Sequence, residues 1–187
     1  MKTFALSAAF GAALWGAALL GLPSPAWAQP SEVILEPYQA TAADLVSAGP
    51  LQLGMSAEAA ASVLGTPSDE TAPTLNAATG GHDKEWHFAE SGVTLTLSAK
   101  QPGGPYQVEA IVLQAPCTYA VATGITIGTL ETEAFQRFKA LINEDLNSYR
   151  GSSDDSFGVL ANSTYTLLLT DCVYGVVQRI YLGPGPE

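Results

Sequence analysis

The stretch Leu51-Gln-Leu-Gly54-Met-Ser56 has a counterpart later in the chain, Ile125-Thr-Ile-Gly128-Thr129. In each copy, an apolar-polar-apolar triplet suited to a short strand leads into glycine. A hydroxyl residue, Ser56 or Thr129, follows as the candidate N-cap of a helix. The two glycines are 74 positions apart in the sequence, which leaves room for one helix and a meander of strands. We therefore predict an internal duplication.

Each copy is followed by apolar residues at helical spacing. In the first, they predict a short helix that ends at Gly65, with Pro67 just beyond. In the second, Glu131 and Glu133 open a longer predicted helix, where acidic side chains are favoured by the helix dipole. The first stripe is Ala59, Ala60, Val63 and Leu64, and the second is Ala134, Phe135, Phe138, Leu141 and Ile142, with Leu146 as its last candidate.

Three strands are predicted after each helix. The clearest one alternates apolar residues, Val93, Leu95 and Leu97, with hydroxyl residues, which predicts a sheet with one buried and one wet face. Composition predicts loops at residues 68–81 and 150–156. The predicted strands are residues 85–88, 92–98 and 108–113 in the first unit and residues 157–160, 165–170 and 175–182 in the second.

These patterns predict an α+β protein of two tandem units. Each unit has one or two helices on a three- to four-stranded antiparallel sheet. A lead-in segment precedes the units and has short helical character at residues 41–46. The predicted boundaries are 1–28 for a signal peptide, 29–48 for the lead-in segment, 49–116 and 117–183 for the two units, and 184–187 for a flexible tail.

The N-terminus has the order of a secretory signal peptide. Lys2 precedes an apolar run over residues 4–22, and the small-residue site Ala26-Trp27-Ala28 follows. The run approaches the length of a membrane span, so an uncleaved anchor is the alternative. Helix-breaking prolines before the site favour cleavage after Ala28, and no cysteine near the cut offers a lipid anchor. We expect a periplasmic or secreted protein.

The chain is acidic. Removing Lys2 with the signal peptide leaves six basic and 18 acidic residues, a net charge of −12. This charge argues against nucleic acid and against an anionic membrane surface as partners, since both select basic proteins. Acidity also keeps proteins soluble, so a basic protein partner and simple solubility are both open explanations.

The chain has two cysteines, Cys117 and Cys172. An even count in an exported chain predicts a disulfide between them. A reactive or metal-binding thiol is the alternative, but neither residue belongs to a Cys-x-x-Cys or Cys/His spacing.

The helix after an x-Leu/Ile-Gly turn, followed by a loop and three strands, resembles two families. These are the β-lactamase inhibitory proteins, built from two tandem helix-plus-sheet repeats, and the SmpA/OmlA-type lipoproteins of the outer-membrane barrel assembly machinery. Both act through surfaces, so the resemblance implies a non-enzymatic binding module. The matching stretches are residues 53–56, 64–67 and 86–88 in the first unit and residues 127–129 and 177–182 in the second.

Catalytic and metal-binding residues are few. The two histidines, His82 and His87, lie near Asp83 and Glu85, but a loop position for His82 and mixed facing along a strand argue against a metal site. No Gly-x-Ser-x-Gly elbow is present, so a small secreted hydrolase is only the alternative function. We expect no cofactor and no metal.

Aromatic residues in or beside the predicted strands are the candidate binding residues. If each unit covers one sheet face with its helix, the other face stays wet, and aromatics on it would serve as interface anchors. The sequence thus predicts an inhibitor-like or envelope-associated protein-binding module that acts through an aromatic sheet face. The candidate anchors are Trp86, Tyr106, Tyr165, Tyr174 and Tyr181.

Overall fold

The computed structural model describes residues 41–185 of the 187-residue chain. The predicted signal peptide, most of the lead-in segment and the end of the predicted tail lie outside the described residues. The helices are a 3-10 helix at Ala42–Val46, α1 at Ala57–Leu64, a 3-10 turn at Ala122–Gly124 and α2 at Glu131–Leu141. The strands are β1 (Ser47–Ala48), β2 (Leu51–Gln52), β3 (Asp69–Glu70), β4 (Thr74–Leu75), β5 (His82–Phe88), β6 (Val93–Ala99), β7 (Gln107–Gln114), β8 (Leu146–Arg150), β9 (Ser156–Ala161), β10 (Thr166–Val173) and β11 (Val176–Pro184).

The predicted α+β class with an antiparallel sheet is confirmed, but the sheet is larger than predicted. Nine strands form one sheet in the order β3-β5-β6-β7-β11-β10-β9-β8, with β4 also paired to β5. The two meanders of strands join because β7 pairs with β11, where Val112 lies opposite Tyr181. A free sheet edge presents unpaired N–H and C=O groups, and this pairing satisfies them at the centre of the sheet.

Local sequence signals place α1 correctly. Ser56 is its N-cap and accepts a hydrogen bond from the Ala59 N–H at 3.2 Å. Gly65 ends the helix with φ +83°, and its N–H donates to the Ala61 carbonyl at 2.8 Å. Both residues have the roles that the sequence predicted.

The predicted start and end of α2 are wrong. Leu130, not Thr129, is the N-cap, and it makes no side-chain capping bond. The Thr129 hydroxyl instead accepts a hydrogen bond from the Thr126 N–H at 3.0 Å within the preceding turn. The helix ends at Leu141, and Leu146 begins β8, a strand that the sequence did not predict. Apolar spacing alone did not distinguish one further helical turn from a buried strand start.

The two glycine turns make the same contacts with the sheet. The Gly54 N–H donates to the Val108 carbonyl at 2.7 Å, and the Gly128 N–H donates to the Val177 carbonyl at 2.8 Å. The reverse bonds, from each valine N–H to the residue after each glycine, are both 2.9 Å. Both glycines have positive φ, +80° and +87°, a conformation in which a Cβ is disfavoured.

One hydrophobic core lies between the sheet and the helices. Phe138 of α2 packs edge-on against Phe157 of β9 with ring centroids 5.8 Å apart, and Ala60 of α1 belongs to the same cluster. The sheet side chains of this cluster include Leu95, Leu97, Ile111, Leu113, Val159, Leu168, Ile180 and Leu182. Both helices therefore pack on one face of the sheet.

The six predicted strands are all present, with ends shifted by a few residues. The triplet at residues 51–53 forms the short strand β2 as predicted, whereas its counterpart at residues 125–127 is not a strand. The short strands β1, β3 and β4 and the edge strand β8 were not predicted. Each pairs with a partner through tertiary contacts and lacks a clear alternation of its own. None of the helices within residues 41–185 is long and apolar enough to span a bilayer.

Candidate interaction surface

The sheet face away from both helices, called the open face below, can be assigned from strand register. Side chains directly opposite one another on paired strands share a face. Leu169 on β10 is opposite Tyr181 on β11, and Tyr181 is opposite Val112 on β7. The complete row crosses eight strands in the order Tyr149, Gly158, Leu169, Tyr181, Val112, Thr94, His87 and Asp69.

The second half of the open face is apolar. Next to the central row lie Leu160 on β9 and Leu167 on β10, which are opposite one another. Leu167 is only 4% exposed, although it is outside the cluster between sheet and helices. We call Val112, Leu160, Leu169 and Tyr181, which are all half-buried, the apolar patch, and Leu167 lies buried beside it.

The Tyr181 side chain extends along its own strand, toward the C-terminus, and covers Gly183. Its hydroxyl donates to the Pro184 carbonyl at 3.0 Å. A Cβ at residue 183 would come within 2.7 Å of that hydroxyl and of the Ala110 Cβ. Glycine is therefore required here by close approach, and the phenol ring shields Ala110, which is 5% exposed. This arrangement fixes Tyr181 at the centre of the apolar patch.

The first half of the open face is polar, as expected of a solvated sheet face. On β6, Thr94, Thr96 and Ser98 alternate with buried Val93, Leu95, Leu97 and Ala99. On β10 this alternation is lost, because leucines occupy both faces, and Leu160 is the one large apolar residue that β9 adds to the open face. An antiparallel sheet with one wet face normally alternates strictly, so the leucines of β10 depart from the pattern of the rest of the sheet.

Charged residues border the patch. On one side, Arg179 forms an ion pair with Asp171 at 2.9 Å, and the Ser156 hydroxyl donates to the same carboxylate. On the other side, burial and then the nearby Asp83 carboxylate raise the pKa of Glu109. Burial and then Glu109 raise the pKa of Tyr181, against a smaller opposing effect of Arg179. The patch thus has charged groups on two sides of an apolar centre.

Trp86 and Tyr106 are not on the open face, contrary to the prediction. Trp86 is opposite Leu95, a core residue, and Tyr106 is buried. The Lys84 ammonium lies 4.9 Å from the Trp86 ring centroid and 4.5 Å from that of Tyr106. It also contacts Glu70 at 2.6 Å, and Lys84 followed by Trp86 lowers the pKa of that carboxyl. The two rings enclose a lysine on the helix side of the sheet.

Tyr165 and Tyr174 are exposed, but in hairpin turns rather than on the sheet face. They lie at opposite ends of β10, with φ of +51° and +54°. Tyr165 is 67% exposed and Tyr174 is fully exposed. Of the five predicted anchors, only Tyr181 is on the open face. Sequence reasoning missed the leucines of the patch, although the unalternating run Leu167-Leu168-Leu169 was their signal.

A cavity of about 1010 Å³ opens near the β6–β7 hairpin. Lys100, Gln107 and Glu109 are among its lining residues, and neither histidine is. The sequence predicted a loop position for His82, but this residue is the first of β5. His87 lies between two polar groups, with Nδ1 3.2 Å from the Thr94 hydroxyl and Nε2 3.6 Å from the Glu85 carboxylate.

Cys117 and Cys172 are buried free thiols, so the predicted disulfide is not formed in this structure. Strand β11 separates β10, which carries Cys172, from β7, after which Cys117 follows. Burial raises the pKa of both thiols, and that of Cys172 rises to about 11 with a further contribution from Glu131. Within residues 41–185, no group of three or more His, Cys, Asp or Glu side chains is placed to hold a metal ion.

Comparisons with known proteins give no relative with which this surface can be compared. No protein-family model, no curated protein and no solved structure matches the chain.

Proposed function

We propose that this protein is an exported, non-enzymatic protein-binding module that acts through the apolar patch of the open face. The observation that carries the proposal is the loss of alternation on β10, where leucines occupy both faces of the sheet and Leu160 of β9 lies beside them. Apolar groups surrounded by polar ones are typical of the centre and rim of a protein interface.

The proposal includes a tandem duplication. The paired hydrogen bonds of Gly54 and Gly128 support it, as does the similar order of helix, loop and three-stranded meander in each half. In a duplicated fold the two open faces begin alike, so the apolar character of the second half is a specialisation. We infer that the second unit, together with Val112 of the first, supplies the apolar centre of the interface, and that β5 and β6 of the first unit supply its polar side.

The net charge of −12 after removal of the signal peptide favours a basic partner. Among the residues that border the patch, Glu109 supplies negative charge, and Asp171 and Arg179 neutralise one another in their ion pair. A basic rim on the partner would complement this border and increase the rate of association. An inhibitor-like or envelope-associated role fits such a surface.

A capture experiment with matched variants tests the proposal. Immobilised protein beginning at Gln29 is incubated with a cell-envelope extract, and the retained proteins are identified by mass spectrometry. A Leu160→Thr, Leu169→Thr double variant, which extends the hydroxyl pattern of β6 across the sheet, is expected to lose the retained partner. Val63→Thr removes an exposed apolar residue from α1 and should retain it. Equal retention by all three proteins would refute the proposal.

A hydrolase is the second candidate, on the strength of the Thr94, His87 and Glu85 contacts. A hydroxyl, an imidazole and a carboxylate that contact one another in that order are the groups of a nucleophilic triad. His87 is half-exposed on a sheet strand and is not among the residues that line the cavity. Hydrolysis of a chromogenic ester by the wild type, abolished in Thr94→Val and His87→Ala, would support this candidate over the binding module.

A further inference from the structure

The β10–β11 hairpin ends in a turn that displays a tyrosine where another residue type is favoured. Val173 and Val176 form the last pair of the hairpin, and Tyr174 and Gly175 are the turn between them. Both turn residues have positive φ, +54° and +78°. Two-residue turns of this kind favour Asn, Asp or Gly, because a bulky side chain is strained at positive φ. Tyr174 is nevertheless present and fully exposed.

Leu130, next to this turn, is a second exposed residue at a position where the local backbone favours another residue type. It is the N-cap of α2, is 58% exposed and makes no capping bond. In the first unit the corresponding residue is Ser56, whose hydroxyl caps α1. Leucine is among the poorest N-cap residues and serine among the best. The second unit therefore has an exposed apolar side chain where its own helix favours a hydroxyl.

Backbone contacts hold Leu130 next to the hairpin turn. Leu130 forms a bridge with Val176, and the Glu131 N–H donates to the Gly175 carbonyl at 2.9 Å. The same bond exists in the first unit, from the Ala57 N–H to the Tyr106 carbonyl at 3.0 Å. There the tyrosine is buried. By this contact Tyr106 corresponds to Gly175, and Pro105 corresponds to Tyr174. The shared contact thus holds without a tyrosine at the position of Tyr174, and the fold does not require Tyr174.

The surroundings of this turn are acidic. Glu131, Asp155 and Asp171 are close enough to Cys172 to raise the pKa of its thiol, after the larger effect of burial. Asp171 is paired with Arg179. Among the described residues, no ion pair is formed by Glu131 or by Asp155. A second copy of the chain would present the same negative charges, so charge complementarity favours a positively charged partner.

We propose that Leu130, Val173 and Tyr174, called the hairpin tip below, form a docking site for a basic protein segment in which apolar residues alternate with arginine or lysine. The apolar side chains of that segment contact Leu130 and Val173. Its cationic groups face Glu131 and Asp155 and stack on the exposed ring of Tyr174. Residues that break local preference without benefit to the fold are expected at functional sites. The hairpin tip is a surface separate from the apolar patch and does not depend on it.

The test uses a defined probe, a soluble peptide of alternating leucine and arginine, with NMR chemical shifts as the readout. We expect wild-type shifts at residues 130–131 and 173–176. Tyr174→Asn and Leu130→Ser should each weaken binding at least about tenfold, as expected for central contact residues. Both substitutions introduce residues that the local backbone favours, so thermal stability should be retained or increased.

Two controls separate this site from general charge attraction. Tyr165→Asn removes the other exposed tyrosine with positive φ, at the opposite end of β10, and should leave binding unchanged. A peptide with glutamate in place of arginine should not bind.

The proposal is overturned if the wild type does not bind the peptide, if Tyr174→Asn binds as tightly as wild type, or if the glutamate peptide binds equally. Concentration-dependent dimerisation through residues 173–176 would also overturn it, in favour of a second copy. The Leu160→Thr, Leu169→Thr variant should still bind the peptide. A result in which only that variant loses binding would reject the hairpin tip and leave the apolar patch as the binding surface.

Discussion

Leu168 and Leu169 are consecutive residues of β10 that point to opposite faces of the sheet. Leu168 is fully buried in the core under the helices, whereas Leu169 is opposite Tyr181 on the open face. The same residue type therefore has a structural role at one position and, by our proposal, a binding role at the next.

This difference predicts unequal effects of truncation. Leu168→Ala should destabilise the protein by about 2–5 kcal/mol, because it leaves a cavity in a packed core. Leu169→Ala should cost less, about 1 kcal/mol, because Leu169 is only half-buried and its truncation removes less buried apolar surface. Urea unfolding followed by circular dichroism measures both. Equal losses would mean that the open face is covered within the folded chain.

The two glycine turns predict matching effects on stability. Gly54→Ala and Gly128→Ala place a Cβ at positive φ, yet no atom lies within 4 Å of that Cβ at either position. The cost is then conformational only, about 1–2 kcal/mol at each position. Thermal unfolding of the two variants should show similar losses. A large difference between them would argue against equivalent roles for the two turns.

We predict that substitution of Glu109 increases the stability of the folded protein in a pH-dependent way. Burial and Asp83 raise the pKa of Glu109 in the folded state. A carboxyl with a raised pKa favours folding when protonated, and this contribution is lost as pH rises through the folded-state value. Glu109→Gln should therefore be more stable than wild type at neutral pH. The advantage should vanish below the ordinary pKa of glutamate, which denaturant titrations at several pH values will measure.

The burial of Cys117 and Cys172 predicts that their thiols react slowly in the folded protein. Only the thiolate reacts, and burial together with nearby carboxylates raises the pKa of Cys172 to about 11. A thiol-specific chromogenic reagent at neutral pH should modify both cysteines slowly in the native state and rapidly in denaturant. The disulfide predicted from sequence gives a different result. Without reductant, neither thiol would react even in denaturant, and intact mass would be lower by two hydrogen atoms.

Features that depend on neighbouring residues in the chain were predictable. The hydroxyl of Ser56 and the positive φ of Gly65 define the ends of α1 within a few residues of sequence. The alternation of β6 similarly records which of its side chains are buried. By contrast, the N-cap of α2 was not predictable from capping preference, because Leu130 contradicts that preference.

The sequence by itself determined the α+β class, the six main strands, both helices and the positions of the two glycine turns. These follow from local backbone preference and from the periodicity of apolar residues. Tertiary structure alone decided that β7 pairs with β11, which joins the strands into one sheet, and that Trp86 faces the core while Tyr181 faces outward. The physical reason is register. A shift of one residue exchanges the two faces of a strand, and register is set by contacts between strands far apart in sequence.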